Sequence, residues 1–247
     1  MGSGPQLLKI PTTVVLTGGT SGIGHHLLKR LLNEGHQVVV IARRASTLPP
    51  QSRLIPMNID LADVAAVRVA GAQLAAEHAD ATMLINNAAL QYPLSLTDTN
   101  FDPVQMEAEV AINLIAPALL AHALLPSFRR HGERAAIINI SSGLAYFPKQ
   151  QSALYCATKA ALSNFTQSLR YQLEKDGILV SEVVLPLVDT PMTKGRGTGK
   201  MDALAAANAI IDGIEDRRET IHVGKAKLLP FLSRIAPGLG RRLLRGS

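Results

Sequence analysis

The chain has 247 residues, 47% of them hydrophobic, with no Trp. That suits one sizeable α/β domain and excludes both two large domains and a disordered chain. The formal net charge is +6, and it belongs to one end: no acidic residue follows Glu219, whereas Lys225, Lys227, Arg234, Arg241, Arg242 and Arg245 do. Without those six positives the 19 remaining basic residues match the 19 acidic ones, so the body is neutral and argues against a nucleic-acid-binding face. Cys156 is the lone cysteine, which rules out an intrachain disulfide and fits a cytoplasmic, reducing setting.

Strand-like apolar runs alternate with helix-length amphipathic stretches. Thr13–Thr17 is expected to form the first strand and Gly22–Glu34 the first helix. Gln37–Ile41 and Arg53–Met57 follow as strands, then a helix over Asp63–His78 and a strand at Thr82–Asn86. One long helix is expected over Asp102–Arg130, a strand at Ala135–Ser141, a helix over Ser152–Lys175, and strands at Ile178–Val184 and Thr220–Val223. Repeated βα units with near-continuous apolar strands predict a Rossmann-like, doubly wound parallel sheet of about seven strands, covered by helices on both faces. The expected organisation is an N-terminal extension over 1–11, a single domain over 12–225 with a lid at 191–201, and a basic, apolar tail over 226–247. No apolar run approaches the ~20 residues of a membrane span, and MGSGPQLLK has no secretory-signal pattern.

TGGTSGIG, from Thr17 to Gly24, lies between the first strand and the first helix. Glycines there let the backbone approach a pyrophosphate, and the helix N-terminus offers free N–H groups and a positive dipole end. The spacing, Gly18-xxx-Gly22-x-Gly24, differs from G-x-G-x-x-G. After the second strand, where an NAD site would present a carboxylate to the ribose, the sequence presents Arg43 and Arg44. Guanidinium groups clamp a 2′-phosphate, so the expected cofactor is NADP(H).

Tyr155 and Lys159 stand four apart, as do Tyr171 and Lys175. Sixteen residues at roughly 100° each place Tyr171 about 160° around the axis from Tyr155, so the two pairs cannot serve one site. Tyr155 and Lys159 open their helix just past the fifth strand's C-terminal end, where open α/β sheets bind ligands. Tyr171 and Lys175 read as structural.

These residues together resemble the short-chain dehydrogenase/reductase family. The resemblance runs from Thr13 to at least Met192 and rests on Thr17-Gly18-xxx-Gly22-Ile23-Gly24, Asn86-Asn87-Ala88-Ala89, Asn113, Ser142 and Tyr155-xxx-Lys159. It implies an NADP-dependent oxidoreductase in which Tyr155 exchanges a proton with a carbonyl or alcohol. Lys159 would favour the phenolate and bind the nicotinamide ribose, Ser142 would fix the substrate oxygen, and Asn113 would hold a relay water. Thr20 and Ser21 join the glycine turn; Asp60 and Leu61 would contact adenine; Asn87, Ala88 and Ala89 would line a ribose; Val188 and Thr190 would orient the nicotinamide. No metal is implied. Two departures stand out: Ala89 where the family has Gly, and Leu185-Pro186 where it has Pro-Gly.

Leu90–Pro93 and Leu144–Pro148 are expected to border the substrate cleft, with Tyr92, Leu144 and Met192 as contacts. Their apolar and aromatic character, with no buried charge, predicts a hydrophobic ketone, aldehyde or imine. Thr193–Lys200 reads as a mobile lid whose Lys194, Arg196 and Lys200 are solvated. The tail's Pro230, Pro237, Gly238 and Gly240 argue against one continuous helix. Packing against the body or another subunit is favoured over a membrane-surface role, and a homodimer or homotetramer is expected. The competing functional reading is a non-catalytic, NADP(H)-responsive binding protein on the same fold.

Overall fold

The computed structural model describes residues 7–93 and 95–245. Met1–Gln6 of the expected N-terminal extension and the last two residues of the expected tail lie outside them. Seven strands form one sheet: β1 (Thr13–Thr17), β2 (Gln37–Ala42), β3 (Leu54–Asn58), β4 (Ala81–Asn86), β5 (Ala136–Ser142), β6 (Leu179–Leu185) and β7 (Thr220–His222). Their order is β3-β2-β1-β4-β5-β6-β7, and every neighbouring pair is parallel. The expected doubly wound fold is present, and its strand order reverses between β1 and β4.

Strand residues alternate between two buried layers, as a pleated sheet covered on both faces requires. Val14, Leu16, Val38 and Ile138 pack with α1 (Gly22–Asn33) and α6 (Ala203–Glu215). Val15, Val39 and Ile137 pack with α2 (Val64–Glu77), α4 (Ala116–His131) and α5 (Ala153–Leu173). Asp63 caps α2 by accepting from the Ala66 amide at 3.0 Å, and Asp202 caps α6 through the Ala205 amide at 2.8 Å.

The structure amends several expected boundaries. The single helix expected over Asp102–Arg130 is α3 (Pro103–Val110), a π-helical turn (Ala111–Ile115) and α4 in succession. Pro117 is the cause visible in the sequence: it has no N–H to bond a carbonyl four residues back, that of Asn113. The stretch Pro103–Arg134 is, among the described residues, long and apolar enough to cross a bilayer, contrary to the expectation from apolar runs alone. Its Leu120, Leu124 and Phe128 are fully buried within the sheet-covering layer. Helix α6 falls where no element was expected. α5 stops at Leu173, so Lys175 sits in a following 3-10 turn, and Tyr171 is 65% exposed at the far end.

The tail is interrupted as its prolines and glycines suggest, into α7 (Leu229–Ile235) and α8 (Pro237–Leu244). Both pack against the body. Leu229 lies against Gly143, Gly240 sits on the Phe147 ring, and the Gln150 amide donates to the Arg245 carbonyl at 2.9 Å.

Candidate active site

A cleft of about 580 Å³ opens at the strands' C-terminal rim, where the order reverses between β1 and β4. One wall is the Thr17–Gly24 turn. Gly18 has φ +73°, and a Cβ on Gly24 would stand 2.1 Å from the Gly18 carbonyl oxygen, so this tight turn tolerates no side chain there. Ser21 precedes α1 without making a side-chain capping bond, which leaves the helix's first amides facing the cleft unclaimed by it. Thr17 joins this turn to the loop after β4: its Oγ1 accepts from the Asn87 and Ala88 amides, both at 3.0 Å. Asn87 Nδ2 donates to the carbonyls of Thr17 and Gly18 at 3.0 and 3.1 Å.

The cleft then runs past β2 and β3. Arg43 and Arg44 line it with exposed side chains, and among the described residues neither forms an ion pair. Asp60 and Leu61 line the same end, Asp60 accepting from the Ala62 amide at 3.0 Å. Thr20, Ile23, Ala88, Ala89 and Thr190 also line the cleft; Val188 does not, being buried with its carbonyl accepting from Thr193 Oγ1 at 2.6 Å. Ala89 keeps a negative φ, so this position does not demand glycine.

Tyr155 and Lys159 line the other end, both buried. Lys159 Nζ donates to the Ile140 carbonyl at 2.8 Å and lies 5.7 Å from the centre of the Tyr155 ring. Ser142 ends β5, and its Oγ accepts from the Leu144 amide at 3.2 Å. The expected acidification of the phenol is not found. Burial dominates and pushes Tyr155 up, with Cys156 and Glu109 adding to it; Arg196 and Ser142 oppose. The same burial lowers Lys159 to about 8, against an opposing pull from Glu182.

Asn113 is fully buried, and both hydrogens of its carboxamide are used by protein. Oδ1 accepts from the Leu90 amide at 2.8 Å, and Nδ2 donates to the Leu90 carbonyl at 2.9 Å and Thr158 Oγ1 at 3.1 Å. Its side chain therefore fixes the loop after β4.

On the substrate side, Leu90, Tyr92 and Met192 line the cleft. Leu144 is half-buried beside it, but Phe147 is turned away under α8. The expectation of no buried charge here needs correction. Glu109 is 3% exposed, accepts from the Tyr92 amide at 3.1 Å, and is pushed up by burial. Nothing in its local spacing marks it. Two lid cations also differ from the solvated reading. Arg196 Nη1 donates to Gln91 Oε1 at 2.9 Å, and Lys200 Nζ donates to the Thr193 carbonyl at 2.7 Å and pairs with Asp189 at 3.2 Å.

Residues 12–200 match the family model for short chain dehydrogenase. The chain belongs to the short-chain dehydrogenase family. Among its relatives is the oxidoreductase DltE of Bacillus subtilis, 33% identical over 186 residues, covering 74% of this chain and 73% of that one. A short-chain dehydrogenase of Burkholderia cenocepacia J2315, solved in complex with NADP, superposes with a TM-score of 0.85 at 28% identity, covering 95% and 98% of the two chains. A short-chain dehydrogenase of Sphingobium yanoikuyae, solved in complex with NADPH, gives 0.78 at 27% identity, covering 93% and 95%. As a short-chain dehydrogenase the protein is an oxidoreductase by family.

Proposed function

We propose that the protein is an NADPH-dependent reductase of hydrophobic carbonyl compounds, able also to oxidise the corresponding alcohols. The observation that carries this reading is one continuous cleft with unpaired arginines at one end and the Tyr155–Lys159 pair at the other. The residues fit the cofactor. The Gly18–Gly24 cradle and the α1 N-terminus would take the pyrophosphate, Arg43 and Arg44 the 2′-phosphate, and Asp60 and Leu61 the adenine. The two relatives solved with NADP and NADPH support the same choice. Bound NADPH supplies the hydride.

The chain's own residues do the rest. Tyr155, held protonated by burial, is an acid ready to donate its proton to a carbonyl oxygen. Ser142, at the end of β5, would fix that oxygen within the hydroxyl's reach. Lys159 carries its positive charge at neutral pH and stabilises the phenolate left behind. The Asn113 carbonyl would hold the water through which the proton is replaced. Leu90, Tyr92 and Met192 exclude solvent, and the buried Glu109 disfavours anionic substrates. A homodimer or homotetramer is the proposed assembly.

Deuterium transfer from labelled NADPH to a panel of aromatic and aliphatic ketones, aldehydes and imines is the test. Label in the alcohol or amine product is expected. Tight NADPH binding without transfer to any of the panel would favour a nucleotide-responsive binding protein instead.

A further inference from the structure

Among the described residues, large exposed apolar side chains gather at the C-terminal end. Leu228, Phe231 and Ile235 are 61, 62 and 66% exposed, and Leu239 is 52% exposed on the next helix. At 100° per residue the first three fall within a sector of about 60°, so they share one outward face of α7. The opposite side is already used: Leu229 packs at Gly143 and Gly240 on Phe147. The helix pair is thus fastened to the body while its outer side stays apolar and uncovered. The same segment holds all the excess charge. Lys225, Lys227, Arg234, Arg241, Arg242 and Arg245 are each exposed. Among the described residues none of the six forms an ion pair, and no carboxylate follows Glu219.

We propose that the outer face of α7 and α8 docks on an anionic bilayer surface. An aromatic and branched aliphatic face beside unpaired cations is what the boundary between acyl chains and negative headgroups accepts. Arginine and lysine stems lie along the apolar surface while their heads reach the phosphates. Charge selects this occupant over a second copy of the chain, since a two-fold contact through this face would set six cations against six. An attachment made through two short helices is shallow, reversible and salt-sensitive.

Cosedimentation of the full chain with phosphatidylcholine vesicles, with and without phosphatidylglycerol, tests this at low and high salt. Binding is expected only where phosphatidylglycerol is present, and it should weaken as salt is raised. The pair Phe231→Ser with Ile235→Ser and the pair Arg241→Glu with Arg242→Glu should each weaken binding by roughly tenfold or more. NADPH affinity and thermal melting report that each variant is folded, and the charge pair serves if the apolar pair is not. No binding to phosphatidylglycerol vesicles at low salt overturns the proposal, as does binding indifferent to a folded variant. Sedimentation analysis in solution covers the remaining case: if Phe231→Ser with Ile235→Ser dissociates an oligomer, the face belongs to another copy and the proposal fails.

Discussion

Burial acts on Tyr155 and Lys159 in opposite senses, raising the phenol and lowering the ammonium. A donor that stays protonated suits reduction, and its neighbour's charge becomes the pH-sensitive part. The kcat/KM for carbonyl reduction should fall as pH rises through about 8, where Lys159 loses its proton, and Lys159→Arg should move that fall to higher pH. Stability moves the opposite way with pH. The folded pKa of Lys159 lies below its ordinary 10.5, so burying the charge opposes folding at neutral pH, and that penalty fades as pH rises from about 8. Lys159→Met should therefore melt at or above the wild-type temperature at pH 7 while reduction drops by roughly a hundredfold or more. A melting point well below wild type would show that the ammonium holds the site together. At the other end of the cleft, Arg43→Asp should weaken NADPH binding by about tenfold or more and improve relative use of NADH, read by titration with both cofactors. Tyr155→Phe should abolish turnover on a substrate that the wild-type protein reduces; retained turnover would end the acid assignment.

At the scale of elements, residues 190–200 make contacts with one another and with the loop after β4. Thr190 and Thr193 form a capping box, Lys200 bonds Asp189 and the Thr193 carbonyl, and Arg196 bonds Gln91 across the cleft. Gln91→Ala removes the crossing contact and keeps the Arg196 charge near Tyr155. The KM should rise severalfold with kcat changed by no more than about twofold, in steady-state assays. Helix α5 begins with a different tension: Ser152 sits at φ 60° with its hydroxyl buried and without a partner. Ser152→Gly should raise stability by about 0.5–1 kcal/mol, visible as a higher melting temperature. Most of the strands are legible in the sequence as nearly continuous apolar runs, whereas the expected elements omit the π turn at Ala111–Ile115 and α6. The π turn is a local response to Pro117 inside an otherwise helical pattern, which periodicity alone reads as one helix. In α6 the signal is present, since Ala203, Ala206, Ala207, Ile210, Ile211 and Ile214 keep helical spacing opposite Asn208, Asp212 and Glu215, and Asp202 offers a cap.

Taken as a whole molecule, the cofactor cleft was the most readable region, because backbone constraints at Gly18 and Gly24 and the absence of an acid after β2 leave marks in the residues themselves. The substrate side was less so. Glu109 and Arg196 reach it from α3 and the lid, and only the three-dimensional path of the chain brings them near Tyr155. The opposite arrangement governs charge, which is segregated along the chain and remains segregated in space, with six unpaired cations on and beside two small helices. This has a practical effect on anyone shortening the protein. Cutting away the segment after Val223 leaves a body whose formal charges cancel, so molecules would no longer repel one another at neutral pH. Such a product can precipitate while perfectly folded, and turbidity would then report lost colloidal repulsion rather than a damaged core.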